Sequence, residues 1–303
     1  MKDNNVYKMG PWTHNIIHTF SGDGRYSDFI KPFNDIGLYV EIDNKGKSMV
    51  IEMPREDRKP ISFKNLLKCK EFKNTKYKLP VIMGVNVFGN PIVKDLDKMP
   101  HLFVGGSCGT GKTMLLKNIY ESLSAKLSND ECKFVIIDTK AFDFVKYSKK
   151  KNMLMPVITD IEEIMTFFDK IAEIIDCRIN ILRNKHSKES KNMPKIIIMI
   201  DEIIDLLFKY KKETEKFVQL IGLHGRSVGV YLIMATQRGN HITSTIYANT
   251  PTKICFKVRS KTDSRVNLGE EGAELLLSPG DMLYSEAGRI PERIHVALPE
   301  KHI

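Results

Sequence analysis

The segment that most constrains the fold lies at residues 103–113, where glycines, a lysine and a threonine follow an apolar run. From Gly106 to Thr113 it fits the pattern G-x-x-x-x-G-K-[ST] in full, in which backbone N–H groups surround a phosphate. Residues 102–104 before it are typical of a buried strand, and residues 114–119 after it have apolar side chains at helical spacing. The alternative is a glycine-rich turn that carries Lys-Thr by chance, but both flanks favour a nucleotide site.

The loop residues have separate predicted roles. Gly106, Gly109 and Gly111 allow backbone conformations that point successive N–H groups at a phosphate, and the following helix adds its positive end. Lys112 is predicted to contact the β and γ phosphates of ATP, and Thr113 to offer its hydroxyl to Mg²⁺. The predicted cofactor-binding residues are Gly106, Ser107, Cys108, Gly109, Thr110, Gly111, Lys112 and Thr113.

Two acidic residues end a second apolar run. Residues 196–200 are all apolar, and Asp201 and Glu202 follow directly. A strand tip of this kind suits one carboxylate that binds Mg²⁺, here Asp201 with Thr113, and another that orients the attacking water, here Glu202. The alternative is a helix whose first turn carries acids that suit its dipole. Because the phosphate loop lies upstream, we predict ATP hydrolysis with Lys112, Asp201 and Glu202 as catalytic residues.

Further apolar runs continue the alternation of strands and helices. Residues 134–137 predict a short buried strand, and residues 159–184 a long amphipathic helix. Residues 230–235 predict another strand, and Gln237 beyond its end is predicted to hydrogen-bond the γ phosphate or the water. This alternation predicts an α/β fold with a mostly parallel central sheet. Later strands are expected at residues 253–258, 281–284 and 293–298.

The amino-terminal third has a different pattern. Two β-hairpins are predicted, one over residues 37–53 and one over residues 81–93. Residues 1–35 have no sustained period and are interpreted as an adaptor or a partly disordered segment. We therefore predict two domains, a partial adaptor-like domain with β-hairpins at 1–95 and the ATPase domain at 96–303.

The composition limits which partners, metal sites and cellular locations are expected for this chain. The net charge of +10 suits a polyanion, but the lysines are spread along the whole chain, so charge alone supports nucleic acid only weakly. The five cysteines are an odd number without CxxC or His pairing, which indicates neither a disulfide framework nor a zinc site. No apolar stretch approaches the roughly 20 residues that span a bilayer. We expect a cytoplasmic protein, with recruitment to a membrane by a partner as an alternative.

Several further motifs, in their order along the chain, carry a family resemblance. They are Met99–Leu102, Ile137–Lys140, Ile200–Leu206, Gly225–Val230, Ala235–Arg238, Ala248–Pro251, Asp263–Arg265 and Gly280–Leu283. From about Gly37 to Ala297 the chain resembles the FtsK/SpoIIIE family of hexameric DNA-translocating ATPases. The resemblance implies a RecA-like P-loop NTPase domain that closes into a hexameric ring around double-stranded DNA, with ATP bound between subunits.

The resemblance also implies DNA-facing loops at residues 210–212 and 238–245. Their predicted DNA-binding residues are Lys211, Lys212, Arg238 and His241, which would touch phosphates without reading bases. The second loop departs from the family pattern, because it is shorter and lacks the proline after Arg238. The resemblance therefore supports DNA contacts less strongly for this loop than for the first. Single-stranded DNA is the alternative substrate.

Hydrolysis also needs a cation for the charge that develops on the transferred phosphoryl group, which an arginine often supplies from a neighbouring subunit. Arg226 and Arg265 match arginines of the family motifs and are the candidates. The alternative for each is an ion pair within its own subunit.

The resulting prediction is an ATP-dependent translocase of double-stranded DNA. The alternatives are a viral genome-packaging or conjugative-coupling ATPase that acts on DNA, a secretion-type ATPase that moves polypeptide, and a regulatory ATP-binding module.

Overall fold

The structure is a computed structural model that describes residues 5–19, 33, 38–42, 48–186, 193–286 and 289–298. These residues form two β-sheets, one of four strands and one of nine. The four-stranded sheet has the order β1-β2-β4-β3, and all its neighbours are antiparallel. Its strands are β1 (Asn5–Met9), β2 (Thr13–Thr19), β3 (Tyr39–Ile42) and β4 (Ser48–Pro54).

The four-stranded sheet confirms one prediction and adds two strands. The hairpin predicted over residues 37–53 is β3 and β4, while its turn at 43–47 lies outside the described residues. Strands β1 and β2 fall within residues 1–35, where no periodic pattern is visible. The reason is that inward positions of β2 carry the polar side chains of Thr13 and Asn15. The Asn15 side chain accepts a hydrogen bond from Thr13 at 2.8 Å and donates to the Val87 carbonyl at 3.0 Å, which satisfies both buried groups.

The nine-stranded sheet has the order β6-β5-β13-β12-β11-β7-β10-β9-β8. Its strands are β5 (Pro80–Asn86), β6 (Pro91–Asp95), β7 (His101–Gly105), β8 (Cys132–Ile137), β9 (Lys195–Ile200), β10 (Val230–Thr236), β11 (Thr252–Phe256), β12 (Asp281–Glu286) and β13 (Glu292–His295). Strands β11, β7, β10, β9 and β8 pair in parallel, whereas β6, β5, β13 and β12 join by antiparallel pairs. The predicted α/β class is confirmed, with a sheet that is parallel on the side of the phosphate loop and antiparallel on the other.

Eight α-helices lie in the described ranges. They are α1 (Phe63–Leu67), α2 (Lys70–Lys73), α3 (Lys112–Lys126), α4 (Ile161–Asn184), α5 (Ile203–Lys209), α6 (Lys211–Val228), α7 (Ser244–Ala248) and α8 (Lys261–Leu268). The long helix predicted over 159–184 is α4, which begins where the Asp160 side chain accepts a hydrogen bond from the N–H of Glu162.

Helices cover both faces of the parallel strands. On β9, Ile197 and Met199 point to the core that α3 covers, and the alternate residues Ile196, Ile198 and Ile200 point to the core under α4, α5 and α6. This is the period of two that a strand imposes on its side chains. Because β9 is buried on both faces, it is apolar at every position.

The two predicted domains share a sheet. Strands β5 and β6 lie before residue 96, yet β5 is hydrogen-bonded to β13 within the nine-stranded sheet. The division at 95/96 therefore stays a prediction, and residues 80–95 pair with the strands that follow it.

A buried ion network connects the two sheets. Arg293 of β13 donates to the carboxylates of Asp281 on β12 and Glu52 on β4, and all three side chains are buried. The Nδ1 atom of His295 lies 3.0 Å from Asp281 Oδ1. Although burial alone would lower the pKa of Arg293 and raise that of Asp281, their attraction raises the first and lowers the second. Both groups are held in the charged form.

Within the part of the chain that the structure describes, no helix combines the length and the apolar character that crossing a bilayer requires.

Candidate active site

Parallel pairing brings the predicted site residues to one edge of the nine-stranded sheet. Gly105 at the end of β7 pairs with Thr236 at the end of β10, and Ile200 at the end of β9 pairs with Met234 of β10. The carboxyl ends of three parallel strands therefore meet, as in other open α/β sheets where ligands bind. The phosphate loop and Asp201 leave this edge from β7 and β9.

The phosphate loop has the backbone that its glycines were predicted to allow. The φ angles of Gly106, Gly109 and Gly111 are +144°, +72° and +121°. Residues with a Cβ atom rarely adopt such angles. A Cβ atom at Gly106 would also lie 2.7 Å from the Cβ of Phe256, and one at Gly111 would lie 2.9 Å from Cε1 of the same ring. The loop packs directly on Phe256, so glycine is required at both ends.

Lys112 begins α3 and turns back over the loop. Its Nζ donates hydrogen bonds of 2.7 Å to the carbonyl oxygens of Gly106 and of Ser107. Burial lowers the pKa of Lys112 to about 8, against the opposing effect of the nearby Glu202 and Asp201 carboxylates. The loop thus holds a buried cation at the place where phosphate oxygens are predicted.

Thr113 and Asp201 come together as predicted for a metal site. The hydroxyl of Thr113 donates to Asp201 Oδ1 at 3.4 Å. Burial, with the nearby Asp138 and Asp143 carboxylates, raises the pKa of Asp201 to about 6. These carboxylates repel one another, so a bound cation would be favoured here.

Glu202 is oriented by the end of β10. Its Oε1 accepts a hydrogen bond of 2.6 Å from the Thr236 hydroxyl, and its Oε2 accepts one of 3.1 Å from the backbone N–H of Gln237. Lys140 Nζ lies 3.7 Å from Oε2. The carboxylate is buried with one oxygen held by a hydroxyl, which fixes its direction.

Sequence reasoning missed the roles of Thr236 and Lys140. Both lie in motifs that carry the family resemblance, and Thr236 directly precedes the predicted Gln237. The Gln237 side chain is exposed and lines the cavity, whereas its backbone makes the contact to Glu202. A second polar residue at the end of the predicted strand 230–235 is the sequence signal that could have pointed to Thr236.

A cavity of about 710 Å³ opens beside the loop. It is lined by the loop residues Cys108, Gly109 and Gly111–Thr113, together with Lys140, Asp201 and Gln237. Residues 278–280, Glu56, residues 58–60 and Trp12 also line it. The cavity is of the size that small-molecule sites have.

The two candidate arginines lie in different places. Arg226 is exposed in the last turn of α6, at the amino end of β10, and lines a second cavity of about 650 Å³. The seven residues of β10 span about 20 Å, so Arg226 lies at the opposite edge of the sheet from Lys112. Arg265 of α8 instead forms an exposed ion pair with Glu271 of its own chain, which was the alternative considered for it.

The two predicted DNA loops are neighbours. Lys211 and Lys212 are exposed at the start of α6, and Arg238 is exposed after β10. The exposed His241 ring packs edge-on against Phe208 of α5, with 5.5 Å between ring centroids. Phe208, 63% exposed, was not among the predicted residues, and its contact joins the two loops at one surface.

Asn267 of α8 lies between the phosphate loop and the second predicted DNA loop. A Cβ atom at Gly105 or at Gly239 would lie 2.1 Å from its Oδ1. Its Nδ2 donates to the Asp263 carbonyl at 2.8 Å, which holds the side chain in place. Close packing of α8 therefore connects the start of the phosphate loop with the start of the second predicted DNA loop.

Known sequences resemble this chain over most of its length. A sequence model of the FtsK/SpoIIIE family matches residues 62–193. The chain is similar to the DNA translocase FtsK of Agrobacterium fabrum, with 31% identity over 90% of this chain and 35% of the relative. It is also similar to the DNA translocase FtsK of Rhizobium meliloti, with 32% identity over 90% of this chain and 36% of the relative. The chain thus spans a little over a third of the length of these curated relatives.

Solved structures agree in fold. The conjugation coupling protein TcpA of pCW3, in its monomer form with ATPγS, matches with a TM-score of 0.67 and 19% identity over 97% of this chain and 88% of that one. The cytoplasmic domain of the Type VII secretion ATPase EccC from Thermomonospora curvata matches with a TM-score of 0.68 and 23% identity over 79% of this chain and 32% of that one. At these identities the likeness is one of fold alone, and the roles of individual residues stay predictions.

Proposed function

The chain belongs to the FtsK/SpoIIIE family, and we propose that it hydrolyses ATP to move double-stranded DNA through a ring of its own copies. The observation that carries the proposal is the meeting of Thr113 with Asp201, 3.4 Å apart, beside the buried Glu202. A phosphate-loop hydroxyl and a strand-tip carboxylate in contact are the parts that hold Mg²⁺ with ATP in P-loop ATPases.

The donor set fits magnesium. Within the described ranges, no three His, Cys, Asp or Glu side chains cluster closely enough to hold a metal by themselves. Mg²⁺ takes oxygen ligands, keeps several waters and commonly uses one or two carboxylates with substrate phosphates. Thr113 and Asp201 would hold it, and when bound it would neutralise charge on the phosphate oxygens.

The remaining steps fall to residues of the chain. Lys112 and the loop N–H groups would bind the phosphates, because they present positive charge and donors on one side. Glu202 would accept a hydrogen bond from the attacking water and receive its proton, with Thr236 fixing the carboxylate. Gln237 would contact the γ phosphate or the water from the cavity wall.

The surface formed by the two predicted DNA loops supports DNA as the substrate. Lys211, Lys212, Arg238 and His241 are exposed there and are suited to phosphates rather than base edges. The net charge of +10 is consistent with a polyanion. All five cysteines are free thiols, which suits the reducing cytoplasm that we propose as its location, with a partner as the means of any recruitment to a membrane.

The ring would complete the active site with an arginine from the next subunit. We favour Arg226, because it lies at the edge of the sheet away from its own phosphate loop, whereas Arg265 is paired with Glu271. An Arg226→Ala variant and Lys112→Ala should each be inactive alone. In mixed rings they should recover part of the ATPase activity, because an intact loop can meet an intact arginine.

Native mass spectrometry would establish that the mixed rings contain both variants. Mixed rings without recovered activity would rule out a role of Arg226 in the neighbouring site. The same mixture made with Arg265→Ala is the matched comparison, and recovery there instead would assign the role to Arg265.

ATPase assays with duplex DNA, single-stranded DNA and no DNA test the substrate. We expect the strongest stimulation by duplex, steep salt dependence and little dependence on sequence. Stimulation by single strands only would favour a conjugative-coupling role. Activity that no DNA stimulates would contradict the proposal and leave a polypeptide motor or a regulatory module.

Glu202→Gln separates binding from turnover. The variant should bind ATP as the wild type does. Its kcat should fall by about 10²-fold to 10⁴-fold, the range that general acid–base groups contribute. Turnover at the wild-type rate would remove Glu202 from its proposed role.

A further inference from the structure

The cavity beside the phosphate loop has one wall from the four-stranded sheet. Trp12, directly before β2, lines it and is itself only 7% exposed. Its indole Nε1 donates to the Lys59 carbonyl at 2.9 Å, and its ring stacks on His295 with 4.6 Å between centroids. An aromatic ring is therefore held in place in the wall of the same cavity that Lys112 lines.

The two sides of the cavity differ in chemistry. The loop side presents N–H groups, Lys112 and carboxylates, which suit phosphates and a metal. A second group of lining residues, which we call the apolar side, is Trp12, Pro60, Pro279, Val296 and Leu298. A nucleotide has the same division, since its base has flat faces that stack on aromatic and apolar side chains.

We propose that this apolar side binds the adenine base and that Trp12 contacts it, so that the four-stranded sheet is part of the nucleotide site. This inference rests on the proposed ATPase function and adds the contribution of the amino-terminal sheet. The charged residues Glu56, Arg58 and Lys59 at the same wall remain available for the exocyclic groups or the ribose.

Contacts continue from Trp12 to the loop itself. The N–H of Gly280 donates to the carbonyl of Thr110 at 2.8 Å. A Cβ atom at Gly280 would lie 2.7 Å from Cη2 of Trp12, so the indole closes directly on the segment that supports the loop. Base binding should therefore also stabilise the docking of β2 on the nine-stranded sheet.

Tryptophan fluorescence reports on this wall alone, because the chain has one tryptophan. Mg-ATP and Mg-ADP should change the emission of Trp12, whereas Mg-tripolyphosphate, at concentrations that displace ATP, should leave it unchanged. The same change with tripolyphosphate, or no change with either nucleotide, would overturn the proposal. Failure of tripolyphosphate to compete with ATP would instead count against the phosphate site, and so against the proposed function.

Substitution of Trp12 measures how much the contact contributes to nucleotide binding. Trp12→Ala should weaken ADP binding about tenfold, the lower part of the range for loss of a base–aromatic stack, and Trp12→Phe about twofold or less. Tripolyphosphate affinity should be unchanged in both variants. Tyr7→Ala is the control, because Tyr7 is exposed on β1 and does not line the cavity. Equal losses for ADP and tripolyphosphate in Trp12→Phe would contradict a base contact.

Photolabelling of the wild-type protein does not depend on how the variants fold. After irradiation with bound 2-azido-ATP, mass spectrometry should find the label on peptides that contain Trp12 or residues 56–60. Hydrogen exchange should show amides of β2 protected by ADP and not by tripolyphosphate. Label confined to other peptides would refute the assignment of this wall to the base.

Discussion

Two clusters of buried charge lie in this chain, and burial has opposite results in them. At the phosphate loop, the pKa of Lys112 falls to about 8 and that of Asp201 rises to about 6, so the charged form of each is disfavoured. Between the two sheets, the pKa of Arg293 is raised and that of Asp281 is lowered, so their charges are stabilised. Burial disfavours the charged forms in both clusters. Only in the second cluster do the attractions between charged partners outweigh this effect.

The partners explain the difference. Arg293 donates to two carboxylates, those of Asp281 and Glu52, at close range. Lys112 donates to neutral carbonyl oxygens, and Asp201 has further carboxylates nearby. A cluster whose charges are balanced within the chain holds two sheets together, whereas an unbalanced cluster is suited to bind a phosphate and a metal ion.

The largest effect is expected from Lys112→Ala. We expect ATPase activity to fall by about 10³-fold, the upper range for removal of one group that stabilises developing charge. Thermal stability should not fall, because the substitution removes a desolvated cation. Lys170→Ala on the exposed face of α4 is the control. Activity within tenfold of wild type would mean that the buried lysine has no role in turnover.

Asp281→Asn should break the balanced cluster. Loss of one partner leaves Arg293 buried with an incomplete set of anions, which costs about 3 to 5 kcal/mol of unfolding free energy. Urea unfolding measures this, with the exposed Asp169→Asn on α4 as the control. A loss under about 1 kcal/mol would show that the cluster contributes little to stability.

The loss of unfolding free energy caused by Asp281→Asn should depend on pH. The pKa of Asp281 is lower in the folded state than its usual 3.8, so the unfolded chain binds more protons below that pH. Its contribution to stability is complete above 3.8 and declines as the pH falls towards the folded-state pKa. The difference between wild type and Asp281→Asn should therefore shrink below pH 3.8. A constant difference down to pH 2 would contradict this assignment.

A smaller effect is expected from Thr236→Val, which keeps the shape of the side chain and removes the hydroxyl that orients Glu202. A hydrogen bond to a charged group contributes about 1.5 to 3 kcal/mol, so kcat should fall about tenfold or more while ATP affinity is unchanged. Thr214→Val is the matched control, because Thr214 is buried in α6 and its hydroxyl has no hydrogen-bond partner among the described residues. Equal kcat values for both variants would remove Thr236 from the mechanism.

The smallest effect on stability is expected from Arg265→Ala. Its ion pair with Glu271 is exposed, and exposed pairs contribute about 0 to 1 kcal/mol. Urea unfolding should therefore hardly change, in contrast to Asp281→Asn. A loss of several kcal/mol would show that exposure does not separate the two kinds of ion pair in this protein.

Much of the site could be predicted from the sequence. The phosphate loop and the acid pair after β9 are continuous patterns, and the pairing of β7, β10 and β9 brings Thr113 to Asp201 as expected. The roles of Thr236 and Phe208 could not be predicted with the same ease. Each depends on a contact with a residue more than 30 positions away, Glu202 for one and His241 for the other.

The sequence by itself determined the features that local chemistry dictates. Positive φ angles need glycine in the loop, and a doubly buried strand such as β9 needs an unbroken apolar run. Each of these requirements is met by a few consecutive residues, so it is visible in the sequence.

Only the tertiary structure decided which distant segments meet. It joined β5 to β13 across the predicted domain boundary, and it brought Trp12 to the wall of the cavity beside the phosphate loop. It also balanced Arg293 with carboxylates from two sheets. Such contacts follow from chain topology and side-chain packing over long separations, and no short pattern in the sequence encodes them.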